Sequence, residues 1–293
     1  MIDSHHHVWR VKDLPWLQGP EQPRIFGPYA PLRRDYLIEE YLADVAGTGI
    51  EASVYVQANW DKSRHEDEVA WVQAIADSHG WPNAIVGFCD MCSDNAEEQL
   101  QRLARYPLMR GIRQQLHWHA NPAYRFADRE DIPADPILTK NVARLADYGW
   151  SFDLQVFASQ MEHAAGLAEA CPQVAMVLQH SGMLEDLSAD GVRQWRSGME
   201  RLSALPNVFV KLSAYGTFIH RNDPHFIGRM IRDTVELFGA GRCMFGSNFP
   251  IEKLWTTFGE MFSAFRQQCA FLSAAERSMI FRETAERVYR PDT

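Results

Sequence analysis

Eight short apolar runs rich in β-branched residues recur along the chain: Ile2–Val8, Ala52–Gln57, Ala84–Cys89, Gly111–Leu116, Ser151–Val156, Val174–Gln179, Val208–Leu212 and Cys243–Ser247. The stretches between them have helical periodicity and helix-start signals. Ser159 with Glu162 and Ser273 with Glu276 both match the S-x-x-E capping box. A regular β-then-α alternation without hairpin signals implies parallel strands, and eight of them predict an α/β fold closed into a (β/α)8 TIM barrel. The rival, an open doubly wound sheet of the dinucleotide-binding type, needs G-x-G-x-x-G between a strand and a helix, and the chain has none. Gly47-Thr-Gly49 and Gly239-Ala-Gly241 follow helical segments, where glycine ends a helix. The 293 residues suit one barrel domain over 1–293, with no repeat, linker or low-complexity tract.

Two connections are long, Trp9–Asp35 and His117–Pro136, and both follow strands. In a barrel such loops shape the catalytic mouth. The first carries Trp16, Phe26 and Tyr29, which suit an ordered cover. A net charge of −9 gives no broad basic surface, so neither nucleic acid nor an anionic membrane is an expected partner. A small-molecule substrate is expected instead, and a homo-oligomer is compatible with the sequence. No run of about 18 apolar residues could span a bilayer, and MIDSHHH lacks the pattern of a secretory signal, so the expected compartment is the cytoplasm. Five scattered cysteines read as reduced core residues; Cys89-x-x-Cys92 has no second pair to complete a zinc site.

Strand alternation puts Asp3, His5 and His7 on one face of the first strand, with Ser4, His6 and Val8 on the other. Two imidazoles at i and i+2 near a strand end can hold one metal ion or polarise one carbonyl. His180 ends the sixth run before Ser181-Gly182 and aims at the same mouth. Arg113 shares a face with Gln115 and His117 on the fourth. A guanidinium inside a pocket calls for a carboxylate, either from a substrate or from the protein, Asp153 being one choice. Gln57, Asn59, Gln155 and Lys211 sit on strands or at their ends, and the last strand closes with Ser247-Asn248-Phe249-Pro250.

Taken in order, IDSHHHVW, VYVQA, MRGIRQQLHW, VLQHSG, VKLS and MFGSNFP resemble the amidohydrolase superfamily, from Ile2 to about Tyr289. Within it they are most similar to the amidohydrolase-2 lactonase group of fuconolactonase-like and 2-pyrone-4,6-dicarboxylate lactonase-like enzymes. The resemblance implies a distorted (β/α)8 barrel, with His5 and His7 as the first-strand H-x-H and His180 as the sixth-strand histidine. It matches Gln57 to the usual second-strand glutamine and Arg113 to an arginine that holds a substrate carboxylate. The last strand departs from the pattern: Asn248 stands where the group usually carries the aspartate that activates water or binds metal. An amide neither accepts a proton nor supplies ligand charge at neutral pH.

The expected activity is hydrolysis of a small lactone or cyclic ester, carboxylated or sugar-derived, without a metal cofactor. In that scheme His5 and His7 polarise the carbonyl, His180 is the general base and Asn248 orients water. Arg113 anchors a carboxylate, with Gln57, Asn59, His117 and Gln155 completing the binding surface. Two alternatives stand beside it. One is zinc- or other divalent-metal-dependent hydrolysis or decarboxylation, with His5, His7 and His180 as ligands; the other is a barrel that binds a ligand without turning it over.

Overall fold

The computed structural model describes residues 1–292. Eight parallel strands follow one another around a single sheet in chain order: β1 Ile2–His6, β2 Ala52–Val56, β3 Ala84–Gly87, β4 Met109–Gln115, β5 Ser151–Gln155, β6 Met176–Leu178, β7 Val208–Leu212 and β8 Cys243–Phe245. The segment after β8 returns to β1: Asn248 N–H donates to His5 C=O at 2.7 Å, and His7 N–H to Phe249 C=O at 2.8 Å. The result is the (β/α)8 barrel expected from the alternation.

Alternate residues divide between two cores. Ala52, Val54, Val56, Ala84, Val86, Val177 and Met244 fill the barrel interior. Tyr55, Ile85, Ile112, Phe152, Leu154, Leu178, Leu212 and Phe245 belong to the larger layer that the helices cover. Ala285, Val288 and Tyr289 of the last helix, Thr284–Tyr289, join the interior cluster. Tyr289 reaches the fifth strand, where its hydroxyl donates to Asp153 at 2.8 and 3.0 Å.

Several strands stop earlier than the apolar runs suggest, and the backbone explains it. His180, Ser181 and Asn248 have φ of 56°, 47° and 57°. A left-handed residue ends a ladder. The capping box at Ser273 and Glu276 is formed. The one expected at Ser159 is not: Ser159 lies inside a 3-10 turn, Ala158–Gln160, and Gln160 accepts the Phe157 N–H at 3.3 Å instead.

The first long loop is ordered by short helical turns at Val11–Asp13, Pro15–Gln18 and Ala30–Leu32. Reciprocal backbone bonds between Trp9 and Tyr36 at 2.8 and 3.0 Å pin its ends, and Trp16 Nε1 donates to Ala58 C=O at 3.0 Å. Among the described residues no helix is long and apolar enough to cross a membrane. All five cysteines are free thiols.

Candidate active site

A cavity of about 320 Å³ opens at the C-terminal ends of the strands. Its lining contains eight of the nine sequence-predicted site residues: His7, Gln57, Asn59, Arg113, His117, Gln155, His180 and Asn248. His5, the ninth, lies one layer deeper. It is fully buried, with its ring centroid 5.0 Å from that of His7 and 4.9 Å from that of His180. Gly246 makes room for it, because a Cβ there would stand 2.7 Å from the His5 Cβ. His5 and His7 do share the interior, but Asp3 does not join them. A register shift between Asp3 and His6 turns Asp3 toward Tyr41 and the Ser247 N–H. His6 faces the helical layer, stacked 3.8 Å from Tyr41.

The tautomer of His7 is set by its surroundings. Its Nδ1 is 2.7 Å from the Val56 carbonyl oxygen, which can only accept, so Nδ1 carries the proton and Nε2 offers a lone pair. In this tautomer a neutral His7 can accept a proton at Nε2 but does not donate one there. His180 Nδ1 pairs with Ser213 Oγ at 2.8 Å, a hydroxyl that can donate or accept; in the tautomer where it donates, His180 Nε2 carries the proton. The turn that presents His180 is clamped by Trp195 Nε1 to Ser181 C=O at 2.8 Å and by Ser181 Oγ with the Tyr215 hydroxyl at 2.9 Å.

Arg113 is buried and its Nη2 donates to Gln57 C=O at 2.5 Å, but no carboxylate of the described residues pairs with it. Asp153, the internal partner weighed from the sequence, is taken by Lys211 at 2.7 Å, with both side chains fully buried. Burial holds the Arg113 guanidinium down to about 10, still charged at neutral pH. Arg24, Lys62 and Arg125 also line the cavity, against one carboxylate, Glu68. In a chain of net charge −9 this is a local reversal of sign, suited to an anionic ligand. Phe126 and Phe157 flank His117, with ring centroids 5.5 Å away on each side. Gln57 Nε2, Gln155 Oε1, His117 Nδ1 and Arg113 Nε are buried without a protein partner.

Glu252 is buried one turn after Asn248, accepting Gly216 N–H at 3.0 Å and the Thr217 hydroxyl at 3.2 Å, with the Asn248 side chain close enough to hold its pKa down against burial. An aspartate at 248 would face that carboxylate. The sequence reading missed Glu252 and Glu68. The i, i+4 spacing from Asn248 was the available signal for the first; nothing local marked the second.

The residues present do not suit a divalent cation. His7 Nε2 could ligate, but position 248 is an amide. Arg113, which has no carboxylate partner, presses positive charge on His5, His7 and His180, so a dication beside them would gain no charged ligand at 248 and would meet an uncompensated cation. Among the described residues no three His, Cys, Asp or Glu side chains are arranged to hold a metal.

Burial drives His6 and His117 down to about 3, and His5, His7 and His180 well below their usual 6.5. It drives Glu68, Glu185 and Glu252 up to about 7 and Asp3 up to about 6. The two sets act oppositely on stability. The histidines take up protons only on unfolding, so stability falls as pH drops below about 6.5. The carboxylates hold protons in the fold that they lose on unfolding, so they add stability as pH drops from about 7 to 4 and add no more below that. Urea melts should therefore show nearly level stability from about pH 7 to 5 and a steep loss below about pH 4.5. A steady loss beginning near pH 6.5 would contradict the raised carboxylates.

Neutral imidazoles and an unpaired guanidinium around one cavity, at the C-terminal mouth of a parallel barrel, mark the place where barrel enzymes carry their active sites. The chain belongs to the amidohydrolase family, whose model matches residues 2–290. It is 32% identical to the uncharacterized protein y4mH of Sinorhizobium fredii, covering 99% of this chain and 98% of that one. It is 29% identical to an L-fucono-1,5-lactonase of Burkholderia multivorans, covering 98% and 95%. A crystal structure of an amidohydrolase from Burkholderia multivorans with bound zinc superposes with a TM-score of 0.84 at 28% identity, covering 99% of both chains.

Proposed function

We propose that the protein hydrolyses a small carboxylated or sugar-derived lactone without a metal ion. The observation that carries this reading is the pairing of a buried guanidinium lacking a protein carboxylate with neutral imidazoles on the same cavity. The likeness to L-fucono-1,5-lactonase supports the reaction class.

In this reading His7 Nε2 takes a proton from water as the water oxygen bonds to the lactone carbonyl carbon. His180 Nε2–H donates to the oxyanion that forms. The tetrahedral intermediate collapses with cleavage of the ring C–O bond, and the proton on His7 passes to the departing alkoxide. The product is the open hydroxy acid. Asn248 orients the water, Arg113 holds the substrate carboxylate, and Gln57, Asn59, His117 and Gln155 complete the wall. His5 packs behind His7 and His180 and limits their movement.

Arg113→Met tests the anchor. For a carboxylated lactone kcat/KM should fall about 10- to 150-fold, mostly through KM, because a charge-assisted bond contributes about 1.5–3 kcal/mol. For an uncharged lactone of the same ring the change should stay within about threefold. Equal losses on both substrates would remove Arg113 from carboxylate recognition.

A further inference from the structure

Glu68 is the one carboxylate among the described lining residues, and the reaction above gives it no task. It stands in the first turn of helix His65–His79, fully buried. Its Oε1 accepts the Ala58 N–H at 2.6 Å and the Tyr55 hydroxyl at 2.8 Å, while its Oε2 is buried without a protein partner. His65, one turn earlier on the same helix face, donates from Nδ1 to Lys62 C=O at 2.9 Å, so its Nε2 offers a lone pair, also buried and unpartnered. Trp60 Nε1–H is a buried donor without a partner. All three side chains line the cavity where the β2 segment passes into this helix. Burial holds Glu68 up to about 7, so above that pH this part of the lining offers one N–H donor and two acceptors, a set complementary to a hydroxyl, which donates once and accepts.

The corner has a fixed relation to the carboxylate anchor. Ala58 N–H and Gln57 C=O are the two ends of a single peptide unit; Glu68 takes the first and Arg113 Nη2 the second. The carboxylate and guanidinium thus grip one peptide from opposite sides, at most roughly 7.5 Å apart through those bonds, without pairing with each other.

We infer that Glu68, Trp60 and His65 form a hydroxyl-recognising subsite beside the Arg113 anchor, so that the preferred lactone carries a ring hydroxyl as well as a carboxylate. This rests on the lactonase reading for its substrate class, but not for its binding chemistry. The hydroxyl donates to Glu68 Oε2 and accepts from Trp60 Nε1–H, and an analogue lacking it leaves both unpaired.

The test compares γ-butyrolactone γ-carboxylates with and without a β-hydroxyl, together with their ring-opened acids, by calorimetric affinity and separately by turnover. The native protein should bind the hydroxylated member about 10- to 100-fold more tightly. In Glu68→Gln, whose amide oxygen can still accept the Ala58 N–H, and in Trp60→Phe, that ratio should fall to within about threefold. Thermal melts confirm that each variant is folded, and either one suffices. Equal native affinities, as expected of a corner that holds only water, or a ratio unchanged in the variants, would overturn the inference. A ratio that behaves as expected with no ring opening would leave the subsite standing and remove the lactonase reading.

Discussion

Lys211→Met should destabilise the folded chain by about 3–5 kcal/mol, measured as a shift in the urea midpoint at pH 7. Lys211 and Asp153 are fully buried and 2.7 Å apart inside the barrel. Removing the ammonium leaves a carboxylate in the interior whose remaining partners are neutral: the Tyr289 hydroxyl, Gln179 Nε2 at 3.0 Å and Ser151 Oγ at 3.2 Å. Those donors stabilise the charge only in part, and total stabilities are about 5–15 kcal/mol, so the loss is a large share of the whole. Lys211→Met combined with Asp153→Leu should recover most of it, because the unpaired charge is then gone. A single variant as stable as the native chain would show that the pair is not what organises the interior beneath the histidines.

His7→Asn should lower kcat by about 10²–10⁴, the usual contribution of a general base, with little change in melting temperature. The asparagine amide can still donate to Val56 C=O, as His7 Nδ1 does at 2.7 Å, but it offers no basic lone pair to water. His180→Asn should also be damaged, but its residual rate should not respond to added imidazole. That of His7→Asn should rise, since imidazole can replace a missing base. Rescue of His180→Asn instead would reverse the two roles.

The barrel was legible because its signal is repetitive: eight apolar runs alternating with helical stretches admit few other folds. Strand alternation was legible enough to bring His7, Arg113, Gln115 and His117 to one cavity. It failed where the backbone leaves the regular pleat. The register shift in β1 sends Asp3 outward, and His5 lies a layer below the cavity. Chemical roles were less legible than positions. The sequence suggested His180 as the base, and the proposal moves that role to His7 because of the Val56 C=O contact, which nothing in the sequence shows. The unpaired state of Arg113 depends on Asp153 meeting Lys211 across the barrel interior, a contact 58 residues apart in sequence. Asn248 looked like a lost acid, and the structure shows a buried carboxylate, Glu252, supplied four residues on.

The central claim, metal-independent ring opening at His7, is tested most directly by exposing chelator-treated, metal-assayed protein to a panel of sugar and muconate-type lactones while following acid release. The account predicts that at least one lactone is opened without added metal, at a rate unchanged by zinc and reduced about 10²–10⁴-fold in His7→Asn. No ring opening across the panel, or opening that appears only when zinc is restored, would contradict it.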